Sequence, residues 1–228
     1  MALTADADAE RIAELEQDNA RLRRLLDQRD APGELRHRLR GTLALLRAII
    51  HQSSKTNRNL PGYTAHLEDR LDAIARAQSL ADQHGEVDLR TLFADEMLRY
   101  GASEEEGLLL TGPEVRLRPK AGQIVALAIH ELAVNAIEHG VLGAKGGQIR
   151  ADWSIDAIGP EHSLTLVWSE IGTTPGLEPV HRGFGTAVLM HMLPYELAAV
   201  TQLSMNAQGW VCTIRLPLSE HVGRVVSG

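Results

Sequence analysis

The chain has 228 residues, of which 44% are hydrophobic and 23% charged, with one cysteine and a formal net charge of −7 at pH 7. This composition predicts one or two domains with a buried core, excludes an internal disulfide, and argues against sequence-independent binding of nucleic acid. No apolar run approaches the roughly 20 residues that a membrane span needs, and the acidic N-terminus is unlike a signal peptide, so we expect a cytoplasmic protein.

Residues 8–29 carry apolar side chains at coiled-coil spacing. The a positions of this heptad are Ile12, Asn19 and Leu26, and the d positions include Leu15 and Leu22. A single Asn among apolar a positions favours a parallel dimer in register, because two facing amides can pair with each other. The sequence therefore predicts a coiled-coil or signalling helix over residues 1–30, with a lone amphipathic helix as the alternative.

Two further helical patterns follow, and together they predict a helical hairpin. The letters APG at 31–33 interrupt the first helix, because a proline disfavours helical geometry at the residue before it. Apolar spacing then predicts one helix from 34 to about 54 and another from about 64 to 82, with NRNLPGY as the turn between them. Neither helix can bury its apolar side alone, so we expect a hairpin domain over 31–85 that forms a four-helix bundle with a second copy.

The rest of the chain, residues 86–228, alternates between helical and extended patterns. One helical pattern begins at Val87, and two others cover about 121–139 and 184–198. Short extended patterns bounded by Gly or Pro are LLLTG, VRLRP, QIRADWSI, SLTLVWSE, TQLSMNA and VCTIRLPL. This order predicts an α/β sandwich, one mixed sheet with helices on one face, so that the whole chain is α+β with an N-terminal helical hairpin.

The letters HELAVNAIEHG, residues 130–140, place polar side chains within an otherwise apolar helix. Glu131 and Asn135 are four residues apart and share one face of that helix, and Glu138 lies three residues further on. A carboxylate and a carboxamide supply the oxygen ligands that Mg²⁺ prefers, with water and nucleotide phosphates completing its coordination. A solvated helix face has the same composition, so this pattern alone leaves both interpretations open.

Two segments that contain glycine follow in the second half of the chain. Gly183 and Gly185 flank Phe184 just before an apolar helix, where glycine allows close approach of phosphates and the helix start presents free amides. Earlier, an apolar strand ends in Glu170 and Gly172, and an acid at that position can accept a hydrogen bond from a nucleotide base. The alternatives are ordinary turn glycines and a turn carboxylate.

In combination and in this order, the segments resemble the HWE family of histidine kinases. The family is named for a histidine in the polar helix, here His130 of HELAVNA, and for a Trp-x-Glu pair, here Trp168 and Glu170 of VWSE. The resemblance covers residues 34–218. It implies a Bergerat-type (GHKL) ATP-binding domain at 86–228, behind a hairpin used for dimerisation and histidine phosphotransfer.

The resemblance gives roles to residues that match the motifs of the family. His37, in ELRHRLRGTLALL, matches the histidine that is phosphorylated. Asn135 matches the Mg²⁺ ligand, and Glu131 matches a candidate polarising base. Glu170 stands where related kinases have the acid that reads the adenine amino group, next to Gly172, which admits the base.

The remaining matches lie around the ATP lid, which would cover about residues 173–182. The glycine box beside the lid consists of Gly183, Phe184, Gly185 and Thr186. The resemblance also implies that His139 contacts phosphate. Two positions depart from the family: Gly41 stands where an Asn usually follows the acceptor histidine, and Gln78 lies near the place where a histidine is often found.

The resemblance implies autophosphorylation of His37 from Mg-ATP, followed by transfer to an aspartate of a response-regulator receiver domain. It also implies a homodimer that receives its signal from a separate sensor domain or protein. One alternative is a non-catalytic histidine phosphotransfer or scaffold protein with a retained kinase-like fold; the intact nucleotide motifs argue against it. Another is a GHKL kinase that acts on serine of a partner, which the histidine in the hairpin argues against.

Overall fold

The structure is a computed structural model that describes residues 17–19, 33–53, 60–102, 107–138, 140–143, 147–158, 161–172, 183–206 and 209–226. For residues 34–38, 143, 157, 158 and 161 it describes the backbone alone. Residues 17–19 are helical, and the other positions of the predicted coiled coil lie outside the described residues. The chain divides into two compact units, Met1–Leu71 and Asp72–Gly228.

The described part of the first unit is helical. It contains helix α1, Gly33–Ser53, and the first residues of helix α2, Leu60–His84. Of the α1 side chains that the structure describes, the buried apolar ones are Leu43, Leu45 and Ile49. Nη1 of Arg70 donates to Oγ of Ser53 across 3.1 Å, and both side chains are buried. This hydrogen bond joins the last residue of α1 to α2, as expected for consecutive helices of a hairpin.

Helix α2 begins about four residues earlier than the sequence predicts. The letters LPGY, residues 60–63, are helical, whereas the sequence pattern assigns them to a turn. Proline fits the first turn of a helix, because the N–H group that it lacks has no intrahelical acceptor there. The turn prediction is therefore wrong for these four residues, and the preceding ones, 54–59, lie outside the described residues.

The described strands of the second unit form two sheets. The strands are β1 Val87–Asp88, β2 Leu108–Thr111, β3 Val115–Leu117, β4 Gln148–Ile158, β5 Glu161–Ile171, β6 Val200–Met205, β7 Gly209–Leu218 and β8 Gly223–Val225. Five of them form a mixed sheet in the order β2-β4-β5-β7-β6, in which β2 and β4 are parallel and the other neighbours are antiparallel. Five of the six extended patterns are therefore strands of one mixed sheet, as the sequence predicts.

The sixth extended pattern, VRLRP, belongs to a second sheet. Strand β3 pairs on both sides in antiparallel fashion, with β1 and with β8, and these three short strands have the order β1-β3-β8. The expectation of a single sheet is therefore wrong for this segment. Its partners lie about 30 residues before it and about 100 residues after it, and local alternation carries no information about pairing over such distances.

Among the described residues of the second unit, six helical segments accompany the sheets, beyond α2. They are α3 Leu89–Leu98, α4 Pro119–Glu138, a 3-10 turn Val141–Gly143, α5 Phe184–Ala187, a π turn Val188–Met192 and α6 Leu193–Leu197. The side chain of Asp88 caps α3 by accepting a hydrogen bond from the backbone N–H of Thr91 at 2.8 Å. Among the described residues, no helix is long and apolar enough to cross a membrane.

Helices α3, α4 and α6 pack on one face of the five-stranded sheet. Val125 and Ile129 of α4 line the same small apolar void as Leu166 of β5, together with residues of α3, α6 and β7. Alternate residues of a strand point to the same face, so Trp168 and Glu170 of β5 lie on the helix-covered face with Leu166. The core of the second unit therefore lies between α4 and the sheet. The carboxylate of Glu170 lies on the same side of the sheet as this core.

Candidate nucleotide site

The C-terminal half of α4 brings two predicted site residues against the start of α5. Glu131 is only 3% exposed, and Asn135 is partly exposed one turn further on. A Cβ atom at Gly185 would lie 3.1 Å from Oε2 of Glu131 and 3.3 Å from Nδ2 of Asn135. The fold therefore joins the polar helix to the glycine box, which lies 50 residues later in the chain, and the absence of a side chain at Gly185 is what allows the close approach.

Glu170 lies at the end of β5 with its carboxylate turned inward. The carboxylate accepts hydrogen bonds from Nε1 of Trp168 and from the backbone N–H of Val141, each across 3.4 Å. Burial raises the pKa of the Glu170 carboxyl, and these two hydrogen bonds oppose the rise. A carboxylate has about four acceptor positions, so Glu170 retains capacity for a further donor such as an amino group.

Gly140 lies close both to the Glu170 carboxylate and to the last turns of α4. A Cβ atom at Gly140 would overlap Oε2 of Glu170 and would lie 2.8 Å from the Cα atom of Ala136. Ala136 follows Asn135 directly on α4. Glu170 therefore lies beside the same turn of α4 that carries Asn135, so the candidate base-reading acid and the candidate metal ligand are grouped at one end of the helix.

The Trp-x-Glu pair has a structural explanation in this arrangement. Residues two apart on a strand share a face, so Trp168 and Glu170 point to the same side, and the indole N–H donates to the carboxylate. Trp168 is buried and lies 6.4 Å, ring centre to ring centre, from Phe93 of α3, which also stacks on Trp153 at 5.9 Å. The packed ring of Trp168 thus holds one side of the Glu170 carboxylate.

The structure also describes the other predicted residues of the glycine segments, Gly172 and residues 183–186. Gly172 follows β5 with φ = +103°, a conformation that favours glycine. Gly183 precedes α5 in an extended conformation, Phe184 is buried at 3% exposure, and Thr186 is partly exposed. Phe184 therefore contributes to the core, and the predicted lid, 173–182, lies outside the described residues.

Two predicted histidine positions are not defined at the side chain. The backbone of His37 is helical within α1 but its side chain is not described, and His139 lies outside the described residues. Gly41, one turn after His37, has open space around it, since no atom lies within 4 Å of a Cβ at this position. Gln78 of α2 accepts a hydrogen bond from Nε2 of Gln123 at 2.6 Å, so the residue at this departure from the family contacts α4.

His130 has a different environment from the neighbouring Glu131. It is 2% exposed, and its Nδ1 lies 2.8 Å from Oε1 of Glu96 and 3.2 Å from the hydroxyl of Tyr100. The sequence patterns did not indicate Glu96 and Tyr100 as partners of His130. A carboxylate within the apolar stretch TLFADEML was the available signal, because a buried acid needs a polar partner.

The oxygen donors of this site suit a nucleotide-bound Mg²⁺. In the part of the chain that the structure describes, no group of three or more His, Cys, Asp or Glu side chains forms a metal site by itself. Mg²⁺ commonly takes one or two protein oxygens and completes its shell with water and substrate phosphates, which fits a single carboxamide beside a carboxylate. The space left by Gly185 lies next to these groups.

Known proteins resemble this chain over its helical and sheet regions. Residues 34–114 match the HWE histidine kinase family. The chain is 30% identical over 210 residues to Blue-light-activated histidine kinase 1 of Erythrobacter litoralis, covering 88% of this chain and 56% of that protein. It is 28% identical over 186 residues to a Blue-light-activated histidine kinase of Rhizobium johnstonii, covering 81% and 52%. The chain thus spans about half the length of these relatives.

A solved structure shares the fold. The histidine kinase domain of a blue-light activated histidine kinase from Erythrobacter litoralis superposes with a TM-score of 0.54 at 16% identity, covering 93% of this chain and 96% of that chain. This likeness confirms the predicted fold class, helices followed by an α/β sandwich. The matching segment and the similar relatives lead to one conclusion: residues 34–114 are a segment of the HWE histidine kinase family, within a chain that is similar to blue-light-activated histidine kinases over most of its length.

Proposed function

We propose that this chain is the core of a protein-histidine kinase that autophosphorylates His37 from Mg-ATP. The observation that carries the proposal is the convergence of Glu131 and Asn135 on Gly185, with the Glu170 carboxylate beside the same end of α4. A glycine that leaves room beside a carboxylate and a carboxamide suits a phosphate chain that carries Mg²⁺, and a buried acid a short distance away suits an adenine amino group. These features match the two ends of one nucleotide.

The residues of the site have distinct proposed roles. Asn135 would hold Mg²⁺, which when bound neutralises the charge of the phosphate groups. Glu131 would polarise the incoming imidazole, and Glu170 would accept a hydrogen bond from the adenine amino group, beside Gly172. Phosphates would approach the backbone between Gly183 and Thr186, which includes Phe184 and Gly185, and His139 would contact them from the end of α4.

The proposed reaction transfers one phosphoryl group. A ring nitrogen of His37 attacks the γ-phosphorus with its lone pair, a P–N bond forms, and the bond from the γ-phosphorus to the bridging oxygen breaks to release ADP. The other ring nitrogen gives its proton to the Glu131 carboxylate, so that the imidazole ring carrying the anionic phosphoryl group is neutral. Positioning of the two reactants supplies most of the catalysis in reactions of this class.

The phosphoryl group would then pass to an aspartate of a response-regulator receiver domain docked on the hairpin. The hairpin would pair with a second copy, because its helices cannot bury their apolar sides alone. A separate sensor domain or protein would supply the signal through the N-terminal helix. The similarity to histidine kinases and the amphipathic pattern of the hairpin support these proposed partners.

The proposal is tested by incubating the full chain with γ-labelled ATP and Mg²⁺. We expect label on the chain that is stable to base and labile to acid, and we expect its transfer to a receiver domain added afterwards. His37→Ala should remove the label while leaving the affinity for Mg-ATP unchanged within about twofold, because acceptor and nucleotide site lie in different parts of the chain. Label that persists on this variant would show that another residue is the acceptor.

A further inference from the structure

Three helices of the second unit meet in a buried polar cluster that the proposed reaction does not use. Arg76 of α2 and Glu96 of α3 form an ion pair between Nη2 and Oε2. The second oxygen of Glu96, Oε1, lies 2.8 Å from Nδ1 of His130 on α4. Tyr100 reaches the same nitrogen with its hydroxyl at 3.2 Å. The Glu96 carboxylate therefore bridges α2 and α4.

The charge of Glu96 sets the direction of the hydrogen bond to His130. Burial raises the pKa of Glu96, which is 4% exposed, but the hydrogen bond and charge of His130 and the charge of Arg76 outweigh burial and lower it overall. An ionised carboxylate only accepts hydrogen bonds, so Nδ1 of His130 carries the proton and donates it. Arg76 and His130 each pair with one oxygen of the buried Glu96 carboxylate, so removing either partner leaves one buried oxygen without that hydrogen bond.

A second contact fixes the same face of α4. Nε2 of Gln123 donates to Oε1 of Gln78 on α2 across 2.6 Å. Gln123 and His130 are seven residues apart, which is two helical turns, so they lie on one face of α4. Helix α2 therefore contacts this face directly through Gln78 and indirectly through Arg76 and Glu96, and both contacts restrain rotation of α4 about its axis.

A rotation of α4 would disturb the nucleotide site, because Glu131 and Asn135, on another face of this helix, approach Gly185 closely. Consecutive helical residues are about 100° apart around the axis, so Glu131 points well away from the direction of His130. Glu131 and Asn135 lie 3.1 and 3.3 Å from where a Cβ of Gly185 would stand. A rotation of about 10° would move side-chain atoms, at a radius of roughly 5 Å, by nearly 1 Å, and shifts of this size are costly for reacting groups.

We propose that His130 is a positioning residue of the nucleotide site, which fixes the rotation of α4 through its buried hydrogen bond to Glu96 and so holds Glu131 and Asn135 against Gly185. The inference rests on the proposed function, because it concerns the same site. It predicts that His130 acts on the end of the site that receives phosphates and Mg²⁺. The Glu170 carboxylate, held by Trp168 and Val141, should be affected much less.

The test compares two ligands on the full chain, well below the melting temperature of each variant. Calorimetry would measure the affinity for Mg-ATP and for adenosine, which lacks phosphates. In His130→Ala we expect about a tenfold loss of Mg-ATP affinity and less than about a twofold change for adenosine. His130→Asn should recover Mg-ATP affinity to within about threefold, since the amide Nδ2 of Asn can replace Nδ1–H as the donor to Glu96.

Two further variants separate positioning from general loss of stability. Glu96→Gln keeps the shape of the side chain and removes its charge. This variant keeps the proposal testable if His130→Ala does not fold. We expect its affinity for Mg-ATP to fall about threefold and its affinity for adenosine to stay unchanged. Val222→Ala removes a buried side chain just before β8, a strand that carries no residue of this cluster. It should lower the melting temperature and leave the Mg-ATP affinity of the folded protein unchanged.

Each outcome decides the inference. Equal Mg-ATP affinity in the parent chain, His130→Ala and Glu96→Gln would overturn it and leave the proposed function standing. Equal losses for Mg-ATP and adenosine would also overturn it, because they would indicate general disorder of the site. If the unaltered chain binds no Mg-ATP, both the proposed function and this inference fail. A loss confined to Mg-ATP, with recovery in His130→Asn, supports it.

Discussion

Gly185 at the start of α5 lies against the carboxylate of Glu131 on α4, so that a Cβ atom at position 185 would stand 3.1 Å from Oε2. Because Glu131 ends in a flexible carboxylate, the substitution Gly185→Ala should displace this group by a few tenths of an ångström. We expect the free energy of unfolding to change by about 1 kcal/mol or less and the Mg-ATP affinity to fall about tenfold. Thermal melting and calorimetric titration measure the two effects.

A matched control for this substitution is available in α1. Gly33→Ala adds the same methyl group at a position where no atom lies within 4 Å of the Cβ, and it should leave Mg-ATP affinity unchanged. If Gly185→Ala and Gly33→Ala bind Mg-ATP equally well, the nucleotide phosphates do not use the space beside Gly185.

Asn135→Ala should weaken binding of Mg-ATP and stop autophosphorylation without unfolding the protein. The substitution removes a metal-binding oxygen from a partly exposed side chain and little core volume. Calorimetry with and without Mg²⁺ should show that the variant has lost the contribution of Mg²⁺ to ATP affinity. Gln83→Ala, which removes an exposed amide from α2, is the control. An unaltered Mg²⁺ dependence would assign the metal to other residues.

Gly41→Asn restores the residue that the family usually carries one turn after the acceptor histidine. The position has no neighbouring atom within 4 Å of a Cβ, so the side chain fits without a clash. We expect α1 to be stabilised by only a few tenths of a kcal/mol, because Asn is a modest helix former. The rates of autophosphorylation and of phosphoryl transfer should change while ATP affinity does not. Equal rates with a raised melting temperature would make Gly41 a neutral substitution.

Glu170→Gln should stabilise the protein increasingly as the pH rises. Burial raises the pKa of Glu170 in the folded state, so folding favours its protonated form. The parent chain therefore loses stability as the pH rises through this raised pKa, whereas Gln cannot ionise. The melting temperature of the variant minus that of the parent should increase from about pH 4 to about pH 8. A constant difference would contradict the buried, hydrogen-bonded placement of the carboxylate. Mg-ATP affinity should fall in the variant.

Local patterns in the sequence determined the elements and the order of the motifs. A period of 3.6 residues predicted α1, α2 and α4, and alternation predicted the strands of the mixed sheet, because these periods report which side of each element is apolar. The same patterns missed the start of α2 at Leu60, where proline is compatible with a first helical turn. HELAVNA, VWSE and the glycine box, after a helical hairpin, indicated the HWE family, and the family match covers residues 34–114, which precede these three motifs.

Only the tertiary structure decided which distant residues meet. The contact of Gly185 with Glu131, the approach of Gly140 to Glu170 and the bond between Glu96 and His130 each join separate segments of the chain. The sequence determined that α4 has an apolar stripe with polar residues beside it. It did not determine that the adjacent residues His130 and Glu131 have different partners, Glu96 and Gly185. The physical reason is that periodicity fixes the faces of an element, whereas the partner of each face depends on how the whole chain packs.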